Sequence, residues 1–226
     1  MTTPLLSARN LSVRFGGVLA VNNVSFDVRP GEVFTLIGPN GAGKTTVFNL
    51  ISHIYTPTSG EIAFQGQPLA HMAPHQIAAL GIARTFQNIE LFEHATVLNN
   101  LLIGRHTHRQ SSFWQDLLFT PRSRQAELHS REKVEEVIEL LDLQHHRDAM
   151  VAGLPYGVRK VVELARALCT EPKLLLLDEP SSGLNVEETE DMAFWLPDIR
   201  QERGIHVLMV APDLALVSQV SDRCLA

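Results

Sequence analysis

Gly38-Pro39-Asn40-Gly41-Ala42-Gly43-Lys44-Thr45-Thr46 lies between an apolar run, Val33-Phe34-Thr35-Leu36-Ile37, and a helix-like run, Val47-Phe48-Asn49-Leu50-Ile51. Strand, glycine-rich turn and helix in that order make a phosphate cradle. The glycines let backbone N–H groups converge on phosphate oxygens, and the following helix aims the positive end of its dipole at the same point. Lys44 is then placed for the β- and γ-phosphates and Thr45 for Mg2+. The alternative, a glycine turn ahead of an ordinary helix, leaves the strand before and the helix after the motif as coincidence. The stretch is therefore read as a nucleoside triphosphate site within an α/β fold.

Downstream, Lys173-Leu174-Leu175-Leu176-Leu177-Asp178-Glu179 is an apolar run ending in two acids. Continuous apolarity suits a parallel strand buried on both faces, and open α/β sheets place their ligands at the C-terminal ends of such strands. Given the cradle, Asp178 is read as a Mg2+ carboxylate and Glu179 as the carboxylate that activates water. A helix over Val186 to Arg203, a strand over Ile205 to Val210 and a short helix from Asp213 continue the alternation.

Upstream, Leu5 to Arg14 and Val21 to Val28 are strand-like and flank Phe15-Gly16-Gly17, a hairpin pattern. Phe15 at the turn is either core or a surface on which an adenine ring stacks. After the first helix come a turn at Pro57-Thr58-Ser59-Gly60, a short strand at Glu61 to Phe64, a helix over Pro74 to Leu80 and a strand at Ile82 to Phe86. Beyond Gln87-Asn88 the texture turns helical. Thr96 can cap Val97 to Ile103, and a polar stretch leads to Val134, Val137, Ile138 and Leu141, apolar at helical spacing. Helices are thus inserted inside an α/β fold. His106-x-His108 and His145-His146 have no acidic or cysteine partner at ligand spacing and are read as solvated.

Composition sets the class. The chain has 226 residues, of which 45% are hydrophobic and 19% charged, enough for a sizeable globular core. Its 19 basic and 25 acidic residues give a net charge of −6, and no basic run is present, which argues against a nucleic-acid partner. No window approaches the roughly 18 apolar residues of a membrane span. A soluble chain is expected, and Cys169 and Cys224, far apart and in no metal or redox spacing, are expected to be reduced structural thiols.

Together these pieces resemble the ATP-binding subunit of ABC transporters over essentially the whole chain. Phe15 matches the adenine-stacking aromatic, Gly38 to Thr45 the Walker A loop and Gln87 the Q-loop. Leu154-Pro155-Tyr156-Gly157 matches the signature, Leu174 to Glu179 the Walker B strand with its glutamate, and Ser182-Gly183-Leu184-Asn185 the D-loop. Val21 to Phe26, Arg84-Thr85-Phe86-Gln87-Asn88 and the signature look like subunits of branched-chain amino-acid importers.

The resemblance implies a P-loop NTPase core with an N-terminal antiparallel β subdomain (1–87 and 166–226) and an inserted helical subdomain (88–165). It implies ATP and Mg2+ as cofactors, with Thr45, Gln87 and Asp178 around the metal and Glu179 and Gln87 around the attacking water. It also implies a second ATP-binding subunit, identical or not, paired head to tail so that Tyr156 and Gly157 of one chain cover the nucleotide of the other. Integral membrane permease subunits are the implied partners, at the cytoplasmic face of the inner membrane.

Three departures stand out. Pro155 and Tyr156 replace the usual Ser and Gly of the signature, and Val158 a common Gln. Pro212 stands where the family carries a switch histidine, with Ala211 in place of an acid. The chain also stops at Arg223-Cys224-Leu225-Ala226 as if entering another strand, a divergent or truncated end. The first reading is an ATPase powering amino-acid import. The alternative is an ATP-gated dimerising clamp with weak hydrolysis because of Pro212. A soluble ABC protein of ribosomes or DNA repair is a third, but this chain has neither the second cassette nor the long coiled coil of those proteins.

Overall fold

The computed structural model describes residues 3–85, 89–108 and 121–226. They form two compact units, Met1–Gln87 with Lys173–Ala226, and Asn88–Pro172.

The first unit holds two sheets. Strands β1 (Leu6–Phe15), β2 (Val18–Val28), β4 (Ser59–Phe64) and β5 (Gln67–Pro68) make an antiparallel sheet in the order β2-β1-β4-β5. β1 shows how the sequence sets its faces: Leu6 and Ala8 are buried, then the phase shifts by one and Leu11 and Val13 are buried. The shift is a bulge, with Asn10 at φ 49°, a conformation Asn tolerates.

Strands β3 (Val33–Leu36), β6 (Ile82–Arg84), β7 (Leu174–Asp178), β8 (His206–Val210) and β9 (Arg223–Leu225) make a parallel sheet in the order β6-β7-β8-β3-β9. All of β3 and β7 is buried, so each of the four leucines of β7 contributes about 1.5–3 kcal/mol by leaving water. Helix α1 (Lys44–Ile51) inserts Val47, Phe48, Leu50 and Ile51 into a core shared by both sheets. Helix α2 (Pro74–Ala79) adds Ile77 to that core.

In the second unit α3 (Val97–Gly104), α4 (Pro121–Leu140) and α5 (Tyr156–Leu168) pack together. Thr96 caps α3 as expected, its hydroxyl accepting from Asn99 N at 3.2 Å, and Val134, Val137, Ile138 and Leu141 are buried. Helix α5 begins at Tyr156, with Pro155 at φ −54° and ψ 154° as its N-cap. Tyr156 and Gly157 therefore occupy the first helical turn.

The chain returns to the first unit with α6 (Val186–Arg203), closed at its start by reciprocal Asn185 and Glu188 hydrogen bonds of 2.9 Å. Helix α7 (Leu214–Val220) follows, capped by Asp213, whose Oδ1 accepts from Ala215 N at 2.8 Å. β9 then pairs in parallel with β3. Among the described residues no helix is long and apolar enough to cross a membrane.

Candidate nucleotide site

β3 delivers the chain to the glycine loop in a left-handed path that only glycine follows without strain: φ is 151° at Gly38, 84° at Gly41 and 85° at Gly43. Gly43 is doubly constrained. A Cβ there would lie 2.4 Å from the carbonyl oxygen of Ala20 in β2, so the loop closes directly against the antiparallel sheet. Lys44, Thr45 and Thr46 then form the first turn of α1, whose backbone N–H groups have no carbonyl four residues back. No acidic residue sits in that turn to offset the dipole. Lys44 Nζ donates to the carbonyls of Gly38 at 2.8 Å and Pro39 at 2.9 Å, so the ammonium lies along the loop that its own helix leaves.

β7 ends in the expected acids. The Asp178 side chain is fully buried; its Oδ2 accepts from Arg84 Nη2 at 2.8 Å, while its Oδ1 is buried with no hydrogen-bond partner among the described residues. A buried carboxylate oxygen left unsatisfied is costly and points to a missing partner. Next to it, Glu179 has φ 51°, rare for a side chain of this size and a form of stored backbone strain. Its backbone is held there from both sides, Glu179 N donating to Val210 O at 2.8 Å and Glu179 O accepting from Ser182 N at 3.1 Å. In register, Asp178 lies opposite Val210, so Ala211 and Pro212 leave β8 at the same end of the sheet.

The sequence matches the family described as ABC transporter over residues 21–182. The chain belongs to the ABC transporter family. It is 40% identical over 223 residues to the high-affinity branched-chain amino acid transport ATP-binding protein LivG of Escherichia coli (strain K12), covering 99% of this chain and 88% of that protein. It is likewise 40% identical to BraF, a protein of the same description from Pseudomonas aeruginosa, over 98% of this chain and 87% of the relative. The ADP conformation of an ATP-binding cassette of an ABC transporter superposes with a TM-score of 0.82 at 31% identity, covering 97% of this chain and 85% of the other.

Within this ABC transporter chain, the residues present fit a magnesium nucleotide. The cradle N–H groups and Lys44 suit phosphates, and the unpartnered Asp178 Oδ1 with the half-buried Thr45 hydroxyl suits a hard cation that keeps part of its water shell. Phe15 is 42% exposed at the tip of the β1–β2 hairpin, not in the core. Its ring meets Tyr55 edge to face at 4.9 Å between centroids. Tyr156 is exposed and Gly157 buried in the first turn of α5, in the second unit. Gln87 lies outside the described residues.

Two contributors escape a reading of the sequence. Tyr55 follows α1, its N–H donating to Asn49 O at 3.1 Å, and nothing local ties it to Phe15 forty residues earlier. Arg84 did carry a signal: a guanidinium at the end of a largely apolar strand needs partners. Cys169 is buried and Cys224 exposed, and among the described residues neither is joined in a disulfide.

Proposed function

We propose that this chain is the ATP-hydrolysing subunit of a membrane importer whose cargo is a branched-chain amino acid. The observation that carries the chemistry is the phosphate cradle on the same sheet as a buried carboxylate with one unsatisfied oxygen. The similarity to LivG and BraF over nearly the whole chain supports the transport role and the cargo class.

Each side chain has a task in this reading. Gly38 to Thr46 wrap the phosphates, and Lys44 leaves the Gly38 and Pro39 carbonyls to meet the β- and γ-oxygens. Thr45, Asp178 and Gln87 would hold Mg2+, which would neutralise charge on the transferring phosphoryl group. Glu179, with Gln87, orients the water that attacks in line; the strained backbone at Glu179 fixes where its carboxylate starts. Phe15, edged by Tyr55, offers its face to the adenine. Tyr156 and Gly157 of a second ATP-binding subunit bring the N-terminus of α5 to the γ-phosphate, by the same dipole logic as the cradle.

The permease subunits dock near Gln87 to His94, where Phe92 is 57% exposed while Asn100 and Arg166 hold its backbone neighbourhood through the carbonyls of Phe92 and Glu90. In this reading the chain is a peripheral subunit at the cytoplasmic face of the inner membrane, with no nucleic acid in its cycle. The test is co-expression with candidate permeases for branched-chain amino acids, followed by reconstitution. ATP turnover stimulated by those permeases, with a cysteine crosslink from position 92 to one of them, supports the reading; ATPase activity indifferent to every permease, with no crosslink, contradicts it.

A further inference from the structure

Arg84 ends β6 beside β7, and its guanidinium is split between two elements. Nη1 donates to Asn49 Oδ1 of α1 at 2.7 Å, and Nη2 donates to Asp178 Oδ2 of β7 at 2.8 Å. The guanidinium carbon also lies 5.6 Å from the centre of the Phe48 ring. The Arg84 side chain is 9% exposed and that of Asp178 is 0% exposed.

An arginine that serves only to neutralise a carboxylate commonly takes both oxygens with its two parallel N–H groups. Here one edge of the fork goes to the carboxylate and the other to the helix that carries Lys44 and Thr45. The consequence is geometric. Asp178 cannot turn without breaking a charge-assisted bond, and Oδ1 is the oxygen left without a partner among the described residues. Asn49 lies five residues beyond Lys44, so the same fork also sets how far the start of α1 stands from the end of β7.

We propose that Arg84 is the positioning residue of the cation site: it takes Asp178 Oδ2, presents Oδ1 alone to a divalent cation, and through Asn49 locks that oxygen to the helix bearing Thr45. This rests on the magnesium-nucleotide reading of the site. Partners that orient a metal's ligands usually cost about 10- to 100-fold in metal affinity when removed. The effect belongs to the cation and leaves the cradle's own hold on phosphate unchanged.

The experiment uses the full chain and a fluorescent N-methylanthraniloyl derivative of ATP, titrated in excess EDTA and again across a range of Mg2+. Arg84→Lys keeps a positive charge but cannot span both partners, and Asn49→Ala removes the helix anchor while leaving the Arg84–Asp178 pair. Cooperative melting by circular dichroism establishes that each variant folds.

For Arg84→Lys the Mg2+ midpoint should rise about 10- to 100-fold while affinity in EDTA stays within about twofold of wild type. Asn49→Ala should shift the midpoint the same way by less. A folded Arg84→Lys with the wild-type midpoint, or with equal losses in Mg2+ and EDTA, overturns the proposal. Should Arg84→Lys not fold, an unshifted Asn49→Ala overturns it. Wild-type protein that binds the probe in neither medium overturns the nucleotide reading itself, and that arm alone reports it.

Discussion

Gly43→Ala separates what the loop conformation demands from what the neighbouring sheet demands. The new Cβ would meet Ala20 O at 2.4 Å and Val21 Cγ2 at 3.2 Å, at a residue with φ 85°. The left-handed backbone costs about 1–2 kcal/mol for a residue with a Cβ, and forcing a methyl into packed surroundings costs a further ~1–3 kcal/mol. The total is about 2–5 kcal/mol, and at roughly 2–4 °C per kcal/mol for a chain of this size the melting temperature should fall by about 4–20 °C.

Gly41→Ala is the control, because φ is 84° but nothing lies within 4 Å of its added Cβ. It should cost only the backbone share, about 1–2 kcal/mol or roughly 2–8 °C. Thermal unfolding by circular dichroism without nucleotide measures both, and a calorimetric ATP titration shows whether Gly43→Ala also weakens binding. Equal melting temperatures for the two variants would refute the close approach of the loop to β2.

His206 Nδ1 accepts from Gly31 N at 2.8 Å, and burial lowers the imidazole's pKa below its ordinary value of 6.5. The unfolded chain therefore takes up the proton first, so the contribution is complete above about pH 6.5 and is lost as pH falls from there toward the folded value. In His206→Asn, whose amide oxygen can replace Nδ1 as acceptor, the melting temperature should depend less on pH across that range; an identical pH profile would argue against the assignment. Glu179→Gln should keep ATP binding and accumulate an ATP-dependent dimer in size-exclusion runs with Mg2+, whereas loss of binding would move Glu179 into the nucleotide-holding shell. Pro212→His should raise turnover by on the order of 10²- to 10³-fold, the usual worth of one preorganised donor, without tightening binding. Wild-type turnover at about 1 to 10³ per second with no gain from the histidine would show that the position is not needed.

The loop and β7 were legible because their chemistry is local. Glycines, a lysine and a hydroxyl at fixed spacing, and four leucines before two acids, each announce their element from within ten residues. The β1–β2 hairpin and the parallel alternation followed from the same short-range patterns. What the sequence concealed depends on contacts between distant residues. The pressure on Gly43 comes from Ala20, the fork of Arg84 joins positions 49 and 178, and Phe15 meets Tyr55 only because the hairpin tip folds against the end of α1. The φ of 51° at Glu179 was equally hidden, since a residue ahead of a proline is ordinarily extended.

The most direct test of the central claim is a calorimetric titration of ATP with Mg2+ into the wild-type chain and into Lys44→Ala. Lys44 is half-buried and, among the described residues, bonded only to carbonyls of its own loop, so its removal takes away a phosphate contact and little packing. The account predicts saturable 1:1 binding for wild type and none for Lys44→Ala, with superimposable melting curves. Unchanged ATP affinity in Lys44→Ala would contradict it.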